Sequence, residues 1–233
     1  MIRSLAFLAF LLVGLAGCGD QPVPFQMADF RAAMLESDIA GLRVKGSIAT
    51  EQVDAATIEI TYDQARSTES FVFDIDGDPD VRLEFVTTGT GLYMLGEAGG
   101  SGPGWVGAVE GDVSGPRVSS MGNPAGFLLQ PGIFDTANWA YIDEVECGSG
   151  VCHHVQALAD ITLDLYLTNP GYVPVKIVMI AELANPPEVT LEVTGWDKEF
   201  DIFVPEDAVE LLPDEMNLVM ADYFQAISAS LGE

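Results

Sequence analysis

The sequence predicts an α+β fold that is mostly β, and three observations carry the prediction. From Leu42 onward, apolar and polar residues alternate with a period of two. The alternating runs recur at the interval of hairpin-connected meanders and are separated by turns rich in Gly, Pro and Asp. Helical periodicity is confined to the two ends of the mature chain and one internal segment. Of the 233 residues, 48% are hydrophobic, enough for a substantial core and without a compositional sign of disorder.

The first seventeen residues, MIRSLAFLAFLLVGLAG, place one base, Arg3, before an apolar run from Leu5 to Val13 and then small residues. That is the order of a secretory signal, and the run is too short for a comfortable membrane span. Leu15-Ala16-Gly17-Cys18 follows directly and resembles the bacterial lipobox, in which the Cys thiol is diacylated and the chain is cut just before it. Two acyl chains hold a protein stably on a membrane where one does not. Residues 1–17 are therefore expected to be a lipoprotein signal peptide, and 18–24 a short tether from the lipidated Cys18. The mature protein is expected to be extracytoplasmic and membrane-anchored, in the periplasm or at the cell surface.

Phe25 to Asp38 reads as an amphipathic helix, with Met27, Phe30, Ala33 and Met34 at three- and four-residue steps. The strands follow. Ile58, Ile60 and Tyr62 alternate with Thr57, Glu59 and Thr61; Phe71, Phe73 and Ile75 come next, then Val81, Leu83 and Phe85. Later, Leu163, Leu165 and Leu167 alternate with polar partners, as do Val189, Leu191 and Val193. The run 174–181 is apolar on both faces beyond Lys176 and predicts a strand covered on both sides. Between these sets, Asn123 and Pro124 suit the start of a short helix carrying Phe127, Leu128 and Leu129, with Ile133 and Phe134 close behind. A terminal helix is expected over 213–233, with Met216, Met220, Tyr223, Phe224 and Ile227 on one stripe.

With Cys18 committed to lipid, Cys147 and Cys152 remain. The Gly-Ser-Gly within Glu146-Cys-Gly-Ser-Gly-Val-Cys152 reads as a hairpin turn that brings the two thiols together, and an oxidising compartment favours a disulfide there. A metal site is the alternative, but Cys152, His153 and His154 are strand neighbours whose side chains point to opposite faces in turn. The loop Asp74-Ile-Asp-Gly-Asp-Pro-Asp80 superficially resembles a calcium loop. It lacks Gly at the sixth position and has Phe85 where a bidentate Glu is required, so it reads as an acidic hairpin turn. The glycine-rich Gly99–Gly104 lacks the Lys-Ser/Thr of a phosphate loop.

There are 36 acidic residues against nine basic ones, a formal net charge of −27. Such a surface repels phosphate backbones, so nucleic acid is not an expected partner; the excess of acid reads first as a device for solubility, and the functional alternative is a cationic protein partner. There is no nucleophile elbow, zinc-protease helix, Walker loop or dinucleotide fingerprint. No enzymatic activity, metal or cofactor is expected.

The order of these features resembles the LolA-like superfamily of lipoprotein and lipid carriers, in particular its mycobacterial-type lipid-binding lipoproteins. The residues that carry the resemblance are the lipobox, the Asn123-Pro-Ala-Gly-Phe-Leu-Leu129 segment, the hairpin at 146–152 and the ending Trp196-Asp-Lys-Glu-Phe200-Asp-Ile-Phe-Val-Pro205. The resemblance runs over residues 25–212. It implies a strongly curved antiparallel sheet, a half-barrel, with helices plugging its concave face and a cavity that holds acyl chains. By position, Phe127, Leu128 and Leu129 would belong to a lid, and Ile177 and Met179 to the cavity wall. The ending implies a strand, a polar turn and an aliphatic strand before Pro205. The expected function is to bind and carry a hydrophobic ligand, a lipid or lipidated molecule. The alternative is an acidic interaction or envelope-assembly lipoprotein with a filled core.

Overall fold

The computed structural model describes residues 23–35, 39–49, 56–76, 80–98, 104–109, 138–148, 150–158, 161–181, 188–212, 214–216 and 218–222. Helix α1, Met27–Leu35, precedes twelve strands. These are β1 (Gly41–Ala49), β2 (Ala56–Asp63), β3 (Thr68–Ile75), β4 (Val81–Thr87), β5 (Gly91–Ala98), β6 (Val106–Val109), β7 (Asn138–Cys147), β8 (Gly150–Leu158), β9 (Ile161–Thr168), β10 (Pro174–Ala181), β11 (Glu188–Trp196) and β12 (Val209–Glu210). All lie in one unclosed, curved sheet in the order β12-β6-β5-β4-β3-β2-β1-β11-β10-β9-β8-β7. Two meanders, β1–β6 and β7–β11, are thus joined where β1 pairs antiparallel with β11. Bulges interrupt the register at Arg43/Val44, Tyr141/Asp143 and Pro174/Lys176. Extra residues of this kind bend and twist a strand, which favours curvature.

The alternation of the sequence maps onto the two faces. Ile58, Phe73 and Leu83 line up across β2, β3 and β4, and Ile177, Leu165 and Leu191 across β10, β9 and β11. All of them belong to a single inner hydrophobic cluster that runs through both meanders. Lys45 and Glu59 face outward, as do Asp74 and Arg82. Strand β10 does carry apolar side chains on both faces: Ile177 and Met179 point inward, while Val178, also buried, lies outward between Asp164 and Thr190.

Helix α1 begins two residues later than the periodicity suggests. It buries Phe30 and Met34 in the inner cluster, and Phe25 lies before it. Residues 214–216 and 218–222 are helical, and Met216 and Met220 join the same cluster. Glu215 accepts the N–H of Leu212 (2.9 Å), half of a capping box. The segments expected to supply most of the plug, including Phe127, Leu128, Leu129 and the helix at Asn123, lie outside the described residues, as do Cys18 and residues 223–233.

The chain after β11 departs from the expected aliphatic strand. Residues 199–205 form no strand but a strap across the outer face. Asp197 adopts a left-handed φ of 53°, which turns the chain back over the sheet. Phe200 then seats on bare backbone: a Cβ at Gly195 would stand 2.6 Å from its ring, and the Arg43 guanidinium lies 4.6 Å from its centroid. Asp201, Ile202 and Phe203 continue over the outward side chains of β1–β4. The strap ends in β12, parallel to β6, where the N–H of Leu211 donates to Gly107 O at 2.8 Å. Backbone bonding is satisfied here by side chains and a distant edge, and none of that shows in local periodicity.

Candidate functional site

The inner face of β1–β6 is built from Leu42, Val44, Gly46 and Ile48; Ala56, Ile58, Ile60 and Tyr62; Phe71, Phe73 and Ile75; and their partners on β4–β6. Rings of Phe71, Phe73 and Phe85 pack together with centroids 6.1–6.4 Å apart. On the β7–β11 side, Ile177 is fully buried between Leu165 and Leu191, and Met179 is half-buried between Leu163 and Val189. Both predicted wall residues therefore face the interior. Their side chains are part of the inner cluster or packed against it.

Polar side chains on this face are confined to one end of the sheet, the end with the β2–β3 and β4–β5 turns. There the cross-strand row reads Leu42, Tyr62, Glu69, Thr87 and Leu92. Glu69 is the one carboxyl among the described inward positions of β1–β6. Its Oε1 is sealed from solvent and has no hydrogen-bond partner. Burial pushes its pKa up to about 7, because a charged carboxylate loses its hydration without gaining donors. The hydroxyl of Tyr62 beside it is turned to Gln64 Oε1 (3.2 Å).

At the same end, β8 turns His153 inward with 1% exposure. The ring stacks on Tyr172 (5.2 Å) and meets the edge of Phe25 (5.3 Å), which itself stacks on Tyr141 at 4.6 Å. Burial lowers the His153 pKa, opposed by the Glu144 carboxylate 3.9 Å from Nδ1, and Nδ1 has no hydrogen-bond partner. The chain enters the domain here too. The Asn169 side chain accepts the N–H of Val23 (2.8 Å) and donates to its carbonyl (3.0 Å), while the N–H of Gln26 donates to the Tyr172 hydroxyl at 2.9 Å. Cys147 and Cys152 are joined by a disulfide in the adjoining β7–β8 hairpin, with Cα atoms 5.8 Å apart.

His154 takes the opposite face, as alternation requires. Its Nδ1 lies 3.1 Å from Asp143 and its Nε2 lies 2.8 Å from Asp164, with the ring stacked on Tyr166. His153 therefore points away from the face shared by Cys152 and His154, and the three side chains do not converge on one point. Asp74 of the acidic turn is held by Arg82, whose Nη1 donates to both carboxylate oxygens at 2.9 and 3.0 Å. Residues 77–79 of that turn lie outside the described set. Among the described residues no group of His, Cys, Asp and Glu is placed to hold a metal ion.

Glu69 and the aromatic box around His153 escaped the sequence reading, although a signal existed. Extending the alternation of Phe71, Phe73 and Ile75 back by two puts Glu69 inward, and extending Val155 back by two does the same for His153.

No protein-family model matches the chain, and no curated protein sequence matches it. Among solved structures, the chain is similar to an uncharacterized conserved protein from Thermus thermophilus, with 11% identity and a TM-score of 0.45 over 80% of this chain and 99% of that one. It is also similar to a LolA superfamily protein from Nitrosomonas europaea, with 9% identity and a TM-score of 0.31 over 77% and 96% of the respective chains. At these identities and scores neither likeness carries a function, or a branch within the superfamily, over to this chain.

Proposed function

We propose that the protein is an extracytoplasmic lipoprotein, anchored in a membrane through Cys18, that holds and carries a hydrophobic ligand against the inner face of its curved sheet. The observation that carries this reading is the extent of that face. One apolar surface runs through both meanders of an unclosed sheet, and the described helices contribute Phe30, Met34, Met216 and Met220 to it, with Met27 and Val219 packed against them. A sheet that does not close on itself needs something to cover its inner face. In this reading Ile177 and Met179 form part of the wall, and Phe127, Leu128 and Leu129 close over the ligand. Affinity then comes from acyl burial, at ~0.8 kcal/mol per methylene, and no reaction chemistry is required.

The test is uptake of a fluorescent fatty acid or phospholipid by a Cys18→Ser protein made in exported form. Saturable uptake that falls at least about tenfold in Phe127→Asp is expected, since a buried charge beside acyl chains costs well over about 1.4 kcal/mol. No uptake by either protein would sink the reading. A second reading, an acidic interaction module, is favoured by one observation: the β7 edge presents Asp143, Glu144 and Glu146 beside exposed Tyr141 and Ile142. A salt-sensitive complex with a cationic protein, formed by a lipid-free chain, would support it.

A further inference from the structure

From the placement of Glu69 we infer that this carboxyl is the head-group contact of the ligand site, and that it selects amphiphiles with a cationic, hydrogen-bond-donating head such as a primary ammonium. This rests on the carrier reading and adds to it the polarity and chemistry of the cargo. Three observations point the same way. Glu69 is the one carboxyl on the described inner face of β1–β6, standing in one row with Leu42, Tyr62, Thr87 and Leu92 and one step from Phe71. Its Oε1 is sealed and without a partner, although buried carboxyl oxygens in folded proteins are nearly always bonded. Nearby polar groups do not serve it: Tyr62 is turned to Gln64 Oε1, and Thr87, its cross-strand neighbour, leaves Oε1 unbonded.

An acceptor left idle in an apolar wall is complementary to a donor brought by a ligand. A positive donor does best, because a charge-assisted bond is about twice as strong as a neutral one. An anionic head would meet a like charge in the same low-dielectric place. The net charge of −27 acts in the same direction by concentrating cations near the site.

Position sets the ligand's orientation. The polar row lies at the sheet end where Asn169 fastens Val23, and Val23 is five residue steps from Cys18, a reach of at most about 18 Å. A head at Glu69 therefore faces the membrane that anchors the chain, with its acyl tail directed toward Phe73, Leu83 and Ile75.

The experiment compares dodecylamine, dodecanol and dodecanoate by calorimetry at about pH 7.5, on Cys18→Ser protein with and without Glu69→Gln. With Glu69 present, the amine binds about tenfold or more tighter than the alcohol, the size of a charge-assisted hydrogen bond, and dodecanoate binds weakest. In Glu69→Gln the three converge to within about threefold. An unchanged ranking in Glu69→Gln, or dodecanoate as the best ligand of the parent protein, overturns the proposal and leaves the carrier reading standing. Failure of dodecanol to bind either protein removes the carrier reading itself, and this proposal with it. Carboxyl carbon NMR of the parent chain gives an answer independent of the variant. Dodecylamine should move the Glu69 titration midpoint downward and dodecanol should not; equal midpoints with both would refute the assignment.

Discussion

Asp63 and Glu69 sit on either side of one hairpin turn, at the end of β2 and the start of β3, and the sheet sends them to opposite faces. Asp63 is 2% exposed, covered by the chain immediately around it. It accepts the N–H of Phe200 (3.0 Å) and of Arg66 (2.9 Å), and these bonds hold its pKa below the usual carboxylate range. Glu69 is half-buried, with its Oε1 sealed but accepting nothing, and its pKa rises to about 7. The same functional group is thus a latch in one place and an idle acceptor in the other. What differs is the supply of donors, because burial alone penalises charge in both. On the outer face the strap and the β2–β3 turn each bring a backbone N–H to Asp63; on the inner face no neighbour donates to Glu69 Oε1.

The largest expected effect separates the two by pH. Glu69 binds its proton more tightly in the folded state than in the unfolded one, so between pH 4.5 and about 7 folding stability falls as pH rises. Glu69→Gln removes that slope. It should match the parent near pH 4.5 and exceed it by about 3 kcal/mol around pH 8, measured by urea unfolding across the range. Next comes the latch. Asp63→Asn should cost about 2 kcal/mol at neutral pH, the value of hydrogen bonds to a charged group. Its contribution has the opposite sign of pH dependence: it is fully present above the ordinary carboxylate pKa and lost as pH falls through the depressed folded value. The Asn variant should therefore converge on the parent in acid. A parallel fall of both variants at every pH would erase the distinction between the two sites.

The disulfide ranks close behind. Cys147→Ser with Cys152→Ser should cost about 2 kcal/mol, the chain-entropy value for so short a loop, and thermal unfolding would register it. The smallest effect belongs to the outer-face ion pairs. Arg82→Ala loses contacts to Asp74 and Glu84 that are partly open to solvent, and about 0.5 kcal/mol is expected. A loss above about 2 kcal/mol there would mean that the outward groups of β3 and β4 matter as much as the strap does.

Much of this was legible in the sequence, and the reason is the pleat. Period-two alternation fixes which of Ile58, Phe73, Leu165 and Leu191 point inward without reference to any distant residue. The Cys147–Cys152 pairing was legible because a Gly-Ser-Gly turn confines both partners locally. The helix at Met27–Leu35 was readable to within its ends. By contrast, the strap needs Gly41 and Gly195 to leave room for Phe200, and Asp63 to receive it across a long stretch of chain that no local pattern encodes. Glu69 was hidden differently. In a chain with 36 acids, one more Glu in a polar stretch draws no notice until register puts it on the apolar face.

Whether the inner face holds a hydrophobic ligand is decided by native mass spectrometry of exported Cys18→Ser protein, followed by organic extraction. A carrier shows a mass in excess of the polypeptide that disappears on extraction and proves to be a lipid or lipidated molecule. A protein that shows only its polypeptide mass, and stays so after incubation with lipid, would contradict the carrier reading.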